Sequence, residues 1–207
     1  MFDVVSRPNN WQKVAKNAGE GPAGGSGTVS PVNGQRQDFF AEILSDAIRV
    51  QPAIRVPARS RQNWLALMSG PFGYWALSVV TLGRLRVEAY IDTGHKEFNK
   101  ELFDEFAASS EYWQQAVGFA LSWERLDGKR ASRIATYREL DLNDEASRSE
   151  ARAGAASALV AMFNAMNEPL RTRARQIRHA ATAVIDAAEA KEHDDGSGPI
   201  LVADSLN

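Results

Sequence analysis

The stretch WLALMSGPFGYWALSVVTLGRLRVEAYID, residues 64–92, decides the fold class. Glycine and proline within residues 70–73 divide its first part into two extended runs, and Leu82–Gly83 marks a second turn. In the third run, residues 84–91, apolar and polar side chains alternate, which is the period of a strand with one buried and one solvated face. Short turns between the runs predict an antiparallel meander of three strands.

Helices and two further strands are predicted around this meander. Apolar residues at helical spacing predict one helix over 35–49 and a second helical segment, in two pieces, over 96–117. Asp127–Gly128 is a tight hairpin signal between two more strands, residues 120–126 and 132–140. Both strands therefore join the sheet as an antiparallel pair.

The C-terminal third of the sequence is rich in alanine and predicts helix. One helix is expected over 144–166, with Asn143 or Asp141 as its N-cap. Pro169 predicts an interruption, after which Leu170–Lys191 forms a second helix. Taken together, the pattern predicts an α+β fold: an antiparallel sheet of about five strands with helices packed on one face and a long C-terminal helical segment.

Composition divides the 207 residues into four regions. Residues 1–17 read as the tail of something larger upstream, because a short strand and a proline turn cannot form a core alone. Residues 18–34 are rich in glycine and serine and predict a flexible linker. The α+β domain is expected over 35–192, followed by a polar tail over 193–207.

The overall composition excludes several classes of function. The chain has no cysteine, three histidines and a net charge of −2, so disulfide scaffolds and thiol chemistry are excluded and no cofactor is predicted. A nucleic-acid surface would have to be a local patch. The sequence shows no secretory signal and no run of about 18 apolar residues. A cytoplasmic protein that does not enter the membrane is therefore expected.

A basic surface on the sheet is the strongest functional signal. We expect it to bind the phosphate backbone of a nucleic acid. An alternative is an ordinary solvated face on which the arginines pair with Glu88 and Glu124 across strands. The residues of the predicted basic surface are Arg84, Arg86, Lys129, Arg130 and Arg133.

A metal-dependent nuclease site is a weaker alternative. Glu88, Asp92 and Lys129 could supply the carboxylates and the lysine that such a site needs, with Mg²⁺ as the cofactor. However, Asp127–Gly128–Lys129 falls in a predicted hairpin turn, where turn chemistry alone explains Asp-Gly. Catalysis by these residues is therefore the less favoured interpretation.

Three blocks of the sequence resemble a known family, the domain of unknown function 4268. These blocks are RVEAYIDTG (86–94), KEFNKELFDEF (96–106) and WERLDGKRASRI (123–134). The resemblance covers about residues 35–165. In that family the module often follows a nuclease-like domain of the PD-(D/E)XK restriction type in bacterial proteins, and residues 1–17 look like a remnant of such a domain.

The resemblance implies a non-catalytic accessory module of a restriction-like bacterial defence system, which binds DNA backbone or a partner chain. The upstream nuclease domain is a candidate partner, and a homodimer is also allowed by the sequence. As a further alternative, the chain is a structural dimerisation domain, with Leu159, Met162 and Phe163 of the alanine-rich helix at the interface. The family supplies no catalytic residues for this domain.

Overall fold

The computed structural model of the chain describes residues 31–55, 64–80 and 83–194, with side chains in 34–55, 64–80 and 83–183. Helices and strands alternate in groups along this part of the chain. In chain order, the elements are α1 (Pro31–Val50), β1 (Trp64–Gly70), β2 (Gly73–Val80), β3 (Arg84–Ile91), α2 (Lys96–Ala108), α3 (Ser110–Val117), β4 (Ser122–Glu124), β5 (Ser132–Glu139) and α4 (Glu145–Asp194).

The five strands form one antiparallel sheet in the order β1-β2-β3-β5-β4. The first three strands are the predicted meander, and the β4–β5 pair adds to its edge through β5. Gly73 opens β2 with φ +131°, and a Cβ at this position would lie 2.0 Å from the Tyr90 carbonyl oxygen. Only glycine therefore allows β3 to approach the first hairpin so closely.

The helices pack on one face of the sheet. Trp75, Ala89, Ile134 and Trp123 pair in one row across four strands. Phe163 of α4 contacts the Trp75 ring, with centroids 6.1 Å apart, and Phe103 of α2 contacts Trp123. This row therefore marks the core face. Its neighbours Leu85, Val87 and Ile91 are fully buried, as are Leu102, Leu159, Met162 and Met166 of the helices.

The predicted fold class is confirmed, because the structure combines a five-stranded antiparallel sheet, helices on one face and a long C-terminal helix. The two-piece helix over 96–117 is also confirmed, since α2 ends at Ala108 and α3 begins at Ser110. Gly118 ends α3 in the left-handed conformation, with φ 84°. The first helix begins at Pro31, four residues before the predicted start at Gln35.

The interruption predicted at Pro169 is wrong. Helix α4 runs through this residue without a break, although proline lacks the N–H that would bond to the carbonyl of Ala165. Met166 and Leu170, on either side, are both fully buried. Their packing against the core holds the backbone helical, because tertiary contacts outweigh local propensity.

The expected N-cap of this helix is also corrected. Asp144, the residue directly before α4, caps it: its carboxylate accepts the Ser147 N–H at 2.9 Å. Asp141 instead accepts the Asn143 N–H in the preceding turn. A cap must precede the first helical residue for its side chain to reach the free N–H groups.

Several predicted regions lie outside the described residues. They are the upstream remnant (1–17), residues 18–30 of the predicted linker and residues 195–207 of the predicted tail. Within the described part of the chain, none of the helices has the length and apolar character needed to cross a membrane.

Candidate functional site

The sheet face opposite the helices carries charged and aromatic side chains. Ser78 of β2 pairs with Arg86 of β3, and Arg86 pairs with Tyr137 of β5. Directly paired residues project to the same side of a sheet, so these three side chains share a surface, which we call the open face. The charged and aromatic side chains of the open face, with Ser78, are Trp64, Tyr74, Arg84, Arg86, Glu88, Tyr90, Glu124, Arg133 and Tyr137.

A carboxylate held by two arginines lies at the centre of the open face. Glu88 accepts a hydrogen bond from Arg86 Nη2 at 3.0 Å, and Arg133 Nε lies 2.8 Å from its other oxygen. Glu88 is only 3% exposed. Two guanidinium groups offset the cost of burying its charge. The structure therefore shows the cross-strand pairing that the sequence left as an alternative to a free basic surface.

The pairing continues toward the edge of the sheet. Arg133 Nη1 lies 3.2 Å from Glu124 of β4, whose carboxylate also accepts the Tyr137 hydroxyl at 2.5 Å. Arg84 differs, because among the described residues it has no carboxylate partner and its guanidinium lies 4.9 Å from the centroid of the Tyr137 ring. Of the arginines on the open face, Arg84 is thus the one whose charge is not offset by an ion pair.

Aromatic rings form a ladder across three adjacent strands, which we call the ring ladder. The rings of Trp64 and Tyr74 stack with centroids 6.1 Å apart, and those of Tyr74 and Tyr90 with centroids 5.0 Å apart. The Arg133 guanidinium extends the ladder, 5.9 Å from the centroid of the Tyr90 ring. Burial, together with nearby Tyr90 and Glu88, raises the pKa of Tyr74 above its ordinary value. The Tyr74 side chain is therefore a neutral phenol. It lies beside the ion-paired residues Arg86, Glu88, Arg133 and Glu124, which we call the arginine–glutamate network.

The other two residues of the predicted basic surface lie in the β4–β5 connection. Arg130 forms a two-pronged ion pair with Asp92 at the end of β3, with N–O distances of 2.9 and 2.7 Å. Burial opposes ionisation of Asp92, but hydrogen bonds from Arg130 and Gly94 hold its pKa below the ordinary value. Lys129 is exposed and has no ion pair in the described part of the chain. The open face thus unites Arg84, Arg86 and Arg133 only.

Helix α2 holds the β4–β5 connection in place through hydrogen bonds from two buried polar residues. Asn99 Nδ2 donates to the Arg130 carbonyl at 3.0 Å, and its Oδ1 accepts from the Thr93 N–H and hydroxyl. Lys100 Nζ donates to the carbonyls of Leu126 and Ala131 at 3.0 and 2.8 Å, and also to the Arg125 carbonyl. We call these two residues the hairpin clamp.

The sequence contains a signal for one of the two residues of the hairpin clamp. Helical spacing places Asn99 on the same stripe as Leu102, Phe103 and Phe106. A polar residue on an apolar stripe is buried with the core and must find hydrogen-bond partners there. The acceptors of Lys100 could not be inferred, because they are backbone carbonyls of a distant turn.

The model of the family described as Domain of unknown function (DUF4268) matches residues 35–173, more than half of the chain. The chain belongs to the DUF4268 family. No curated protein and no solved structure matches this DUF4268 chain.

The sequence blocks that resembled the DUF4268 family contact one another in the structure. Arg125 forms two hydrogen bonds with Asp104 of α2, at 2.7 and 2.9 Å. Together with the hairpin clamp and the Arg130–Asp92 pair, this contact ties block 123–134 to the other two blocks. In this DUF4268 chain, many polar residues of the resembling blocks are thus engaged in holding the hairpin on α2 and β3.

The residues of the nuclease alternative do not form a metal site in the described part of this DUF4268 chain. No group of three or more histidine, aspartate or glutamate side chains there could hold a metal ion. Glu88 and Asp92 are four positions apart along an extended chain, which is about 13 Å. Each carboxylate is already paired, Glu88 with Arg86 and Asp92 with Arg130, while Lys129 contacts neither.

Proposed function

We propose that this DUF4268 chain is a non-catalytic accessory module that binds nucleic acid through the open face. The observation that carries the proposal is that Arg84, Arg86 and Arg133 share one sheet face with the ring ladder that includes Tyr74 and Tyr90. Arginine contacts phosphates and base edges, and aromatic rings stack on unpaired bases. Among the described residues, the helices lie on the other side of the sheet, so none of them separates this surface from a strand of nucleic acid.

The ion pairs change how this binding should depend on charge. Arg86 and Arg133 are offset by Glu88 and Glu124, so the open face is less positive than the sequence predicted. Arg84 remains as the arginine best placed to contact phosphate, because its charge is not paired. We therefore expect stacking and directed hydrogen bonds to contribute more than net charge, and the salt dependence to be modest.

The accessory role follows from the family resemblance and from the placement of the charged residues. The resemblance described above implies that the module often follows a restriction-type nuclease domain, and such a domain is the natural partner of a non-catalytic DNA-binding module. The engaged carboxylates Glu88 and Asp92 support binding over catalysis. Leu159, Met162 and Phe163 are buried in the core, so they do not supply the interface that the dimerisation alternative requires.

The proposal is tested by measuring binding of labelled single-stranded and duplex DNA at about 50 mM salt, where backbone contacts are strong. Arg84→Ala should weaken binding and reduce the salt slope by about one unit. Arg49→Ala is the matched control, because Arg49 is an exposed arginine on α1, with its side chain 77% accessible. Absence of binding to both DNAs would overturn the proposal. Cleavage after adding Mg²⁺ would favour the nuclease alternative instead.

A further inference from the structure

The open face contains a concave pocket that is suited to a single unpaired base. Its volume is about 190 Å³, and it lies between the ring ladder and the arginine–glutamate network. We propose that this pocket binds one base of a single-stranded nucleic acid and prefers guanine. The inference rests on the proposed function, to which it adds the form of the nucleic acid and the base. The polar and aromatic side chains that line the pocket are Trp64, Tyr74, Ser78, Arg86, Glu88, Tyr90 and Arg133.

The aromatic wall of the pocket favours a planar ligand. Tyr74 and Tyr90 are stacked with an interplanar angle of 26°, and Arg133 covers the Tyr90 ring. Planar aromatic and guanidinium groups are the surfaces on which proteins stack unpaired bases. In a duplex the faces of the bases are covered by their neighbours, so duplex DNA could not enter such a pocket without losing base stacking.

The polar wall of the pocket offers donors. The two Glu88 oxygens already face Arg86 and Arg133, and the carboxylate side chain is only 4% exposed. Arg86 Nη1, in contrast, forms no hydrogen bond within the described part of the chain. Arg86 Nε is buried and also lacks a hydrogen-bond partner there. The charged side of the pocket therefore has N–H groups left to donate, while its carboxylate is almost fully buried between the two guanidinium groups.

A ligand edge made only of acceptors matches this wall. Guanine presents two neighbouring acceptors, N7 and O6, and arginine is the side chain that most often reads them. On the corresponding edges adenine combines an acceptor with an amino donor, and cytosine presents an amino donor. Thymine offers a single acceptor beside a methyl group. Guanine is therefore the base whose acceptors pair with the most N–H donors of this pocket.

Glu88 acts in this arrangement as a positioning residue. A buried arginine–glutamate–arginine cluster contributes little to stability compared with apolar packing. On the open face it holds two guanidinium groups in fixed orientations beside Tyr90. Pre-ordered donors bind without first losing side-chain freedom. Glu88→Gln should consequently weaken base discrimination, although the side chain itself need not contact the base.

The test uses a ten-nucleotide oligothymidylate in which one central base is T, G, A or C, and a duplex containing the same G strand. Affinities are measured with the full chain by fluorescence anisotropy. We expect the strand with one G to bind about tenfold more tightly than the all-T strand, and the duplex to bind more weakly than either. Arg86→Gln and Glu88→Gln should remove the preference for G.

Arg84→Gln is the matched control, because Arg84 lies on the same strand and face but does not line the pocket. It should weaken binding to all four strands alike and leave the preference for G intact. Thermal unfolding of each variant verifies that it is folded, and Arg86→Lys provides a second, milder variant. Equal affinity for the four strands, or tighter binding of the duplex, would overturn this inference while leaving the proposed function in place. Failure to bind any DNA would overturn both.

Discussion

Lys100 shows how a single buried charge can be satisfied without a carboxylate. Its ammonium group is surrounded by carbonyl oxygens of the β4–β5 connection and by the Ser132 hydroxyl at 3.0 Å. Burial and the nearby Arg125 lower the pKa of Lys100 from its ordinary value. The carbonyl oxygens favour the charged form, which donates to all of them. The lysine thereby donates hydrogen bonds to backbone carbonyls that find no donor within the β4–β5 connection itself.

Replacing Lys100 with methionine should lower the free energy of unfolding by about 2–3 kcal/mol, because the buried carbonyls of Leu126 and Ala131 would lose their donor. Urea denaturation measures this change. Lys96→Met is the matched control, since Lys96 is an exposed lysine on the same helix, and its effect should be close to zero. Similar stability of the two variants would show that solvent or neighbouring groups replace the Lys100 ammonium.

At the scale of elements, strands were easier to predict than the long helix. The alternation in residues 84–91 determines which side chains of β3 are buried, because a strand has a period of two. The continuity of α4 through Pro169 could not be predicted, since it depends on the burial of Met166 and Leu170 in the core. The local sequence shows that a proline inside a helix lowers its stability, but it does not show the tertiary contacts that offset this loss.

Pro169→Ala should therefore raise the stability of the chain. Alanine restores one helical hydrogen bond and removes a steric conflict worth about 3 kcal/mol, while the unfolded chain gains some freedom. We expect a net gain of about 2 kcal/mol, measured as a higher urea midpoint. A loss of stability in this variant would mean that the core needs a local bend of α4 that the proline provides.

At the scale of the whole molecule, ion pairs connect elements that are distant in sequence. Arg152 of α4 pairs with Asp46 of α1 at 2.6 Å, and Arg173 of α4 pairs with Glu101 of α2 at 3.1 Å. The pairs on the open face depend in the same way on strand register. This is why the sequence could place Arg84 and Arg86 on one strand face and offer the offsetting of their charges only as an alternative. The ring ladder and the separate position of Lys129 and Arg130 depend on how the strands pair and could not be predicted.

These contacts predict a specific loss of stability in acid. A hydrogen bond from Arg152 lowers the pKa of Asp46, and one from Arg125 lowers the pKa of Asp104, from the ordinary value of 3.8. Below that value the unfolded chain binds more protons than the folded chain, so stability falls as the pH drops toward the folded-state pKa values. Above it, the contribution of both carboxylates is fully present.

The urea midpoint of the wild type should consequently decrease between about pH 4 and pH 2, and the Asp46→Asn/Asp104→Asn variant should show a shallower decrease. Asp38→Asn is the control, because Asp38 is exposed on α1 and has no ion pair in the described residues. The interpretation would fail if the double variant lost stability in acid as steeply as the wild type.

The long helix α4 has a consequence for how the protein is made. It contacts α1, α2, α3, β3 and β5, and its buried positions run from Ala151 to Ile177. During synthesis the described strands leave the ribosome before α4 does, so the apolar surface around Trp75 lacks its contact with Phe163 until α4 emerges. A nascent chain that stops before Ala151 would present that apolar surface to chaperones, because domains generally fold as units.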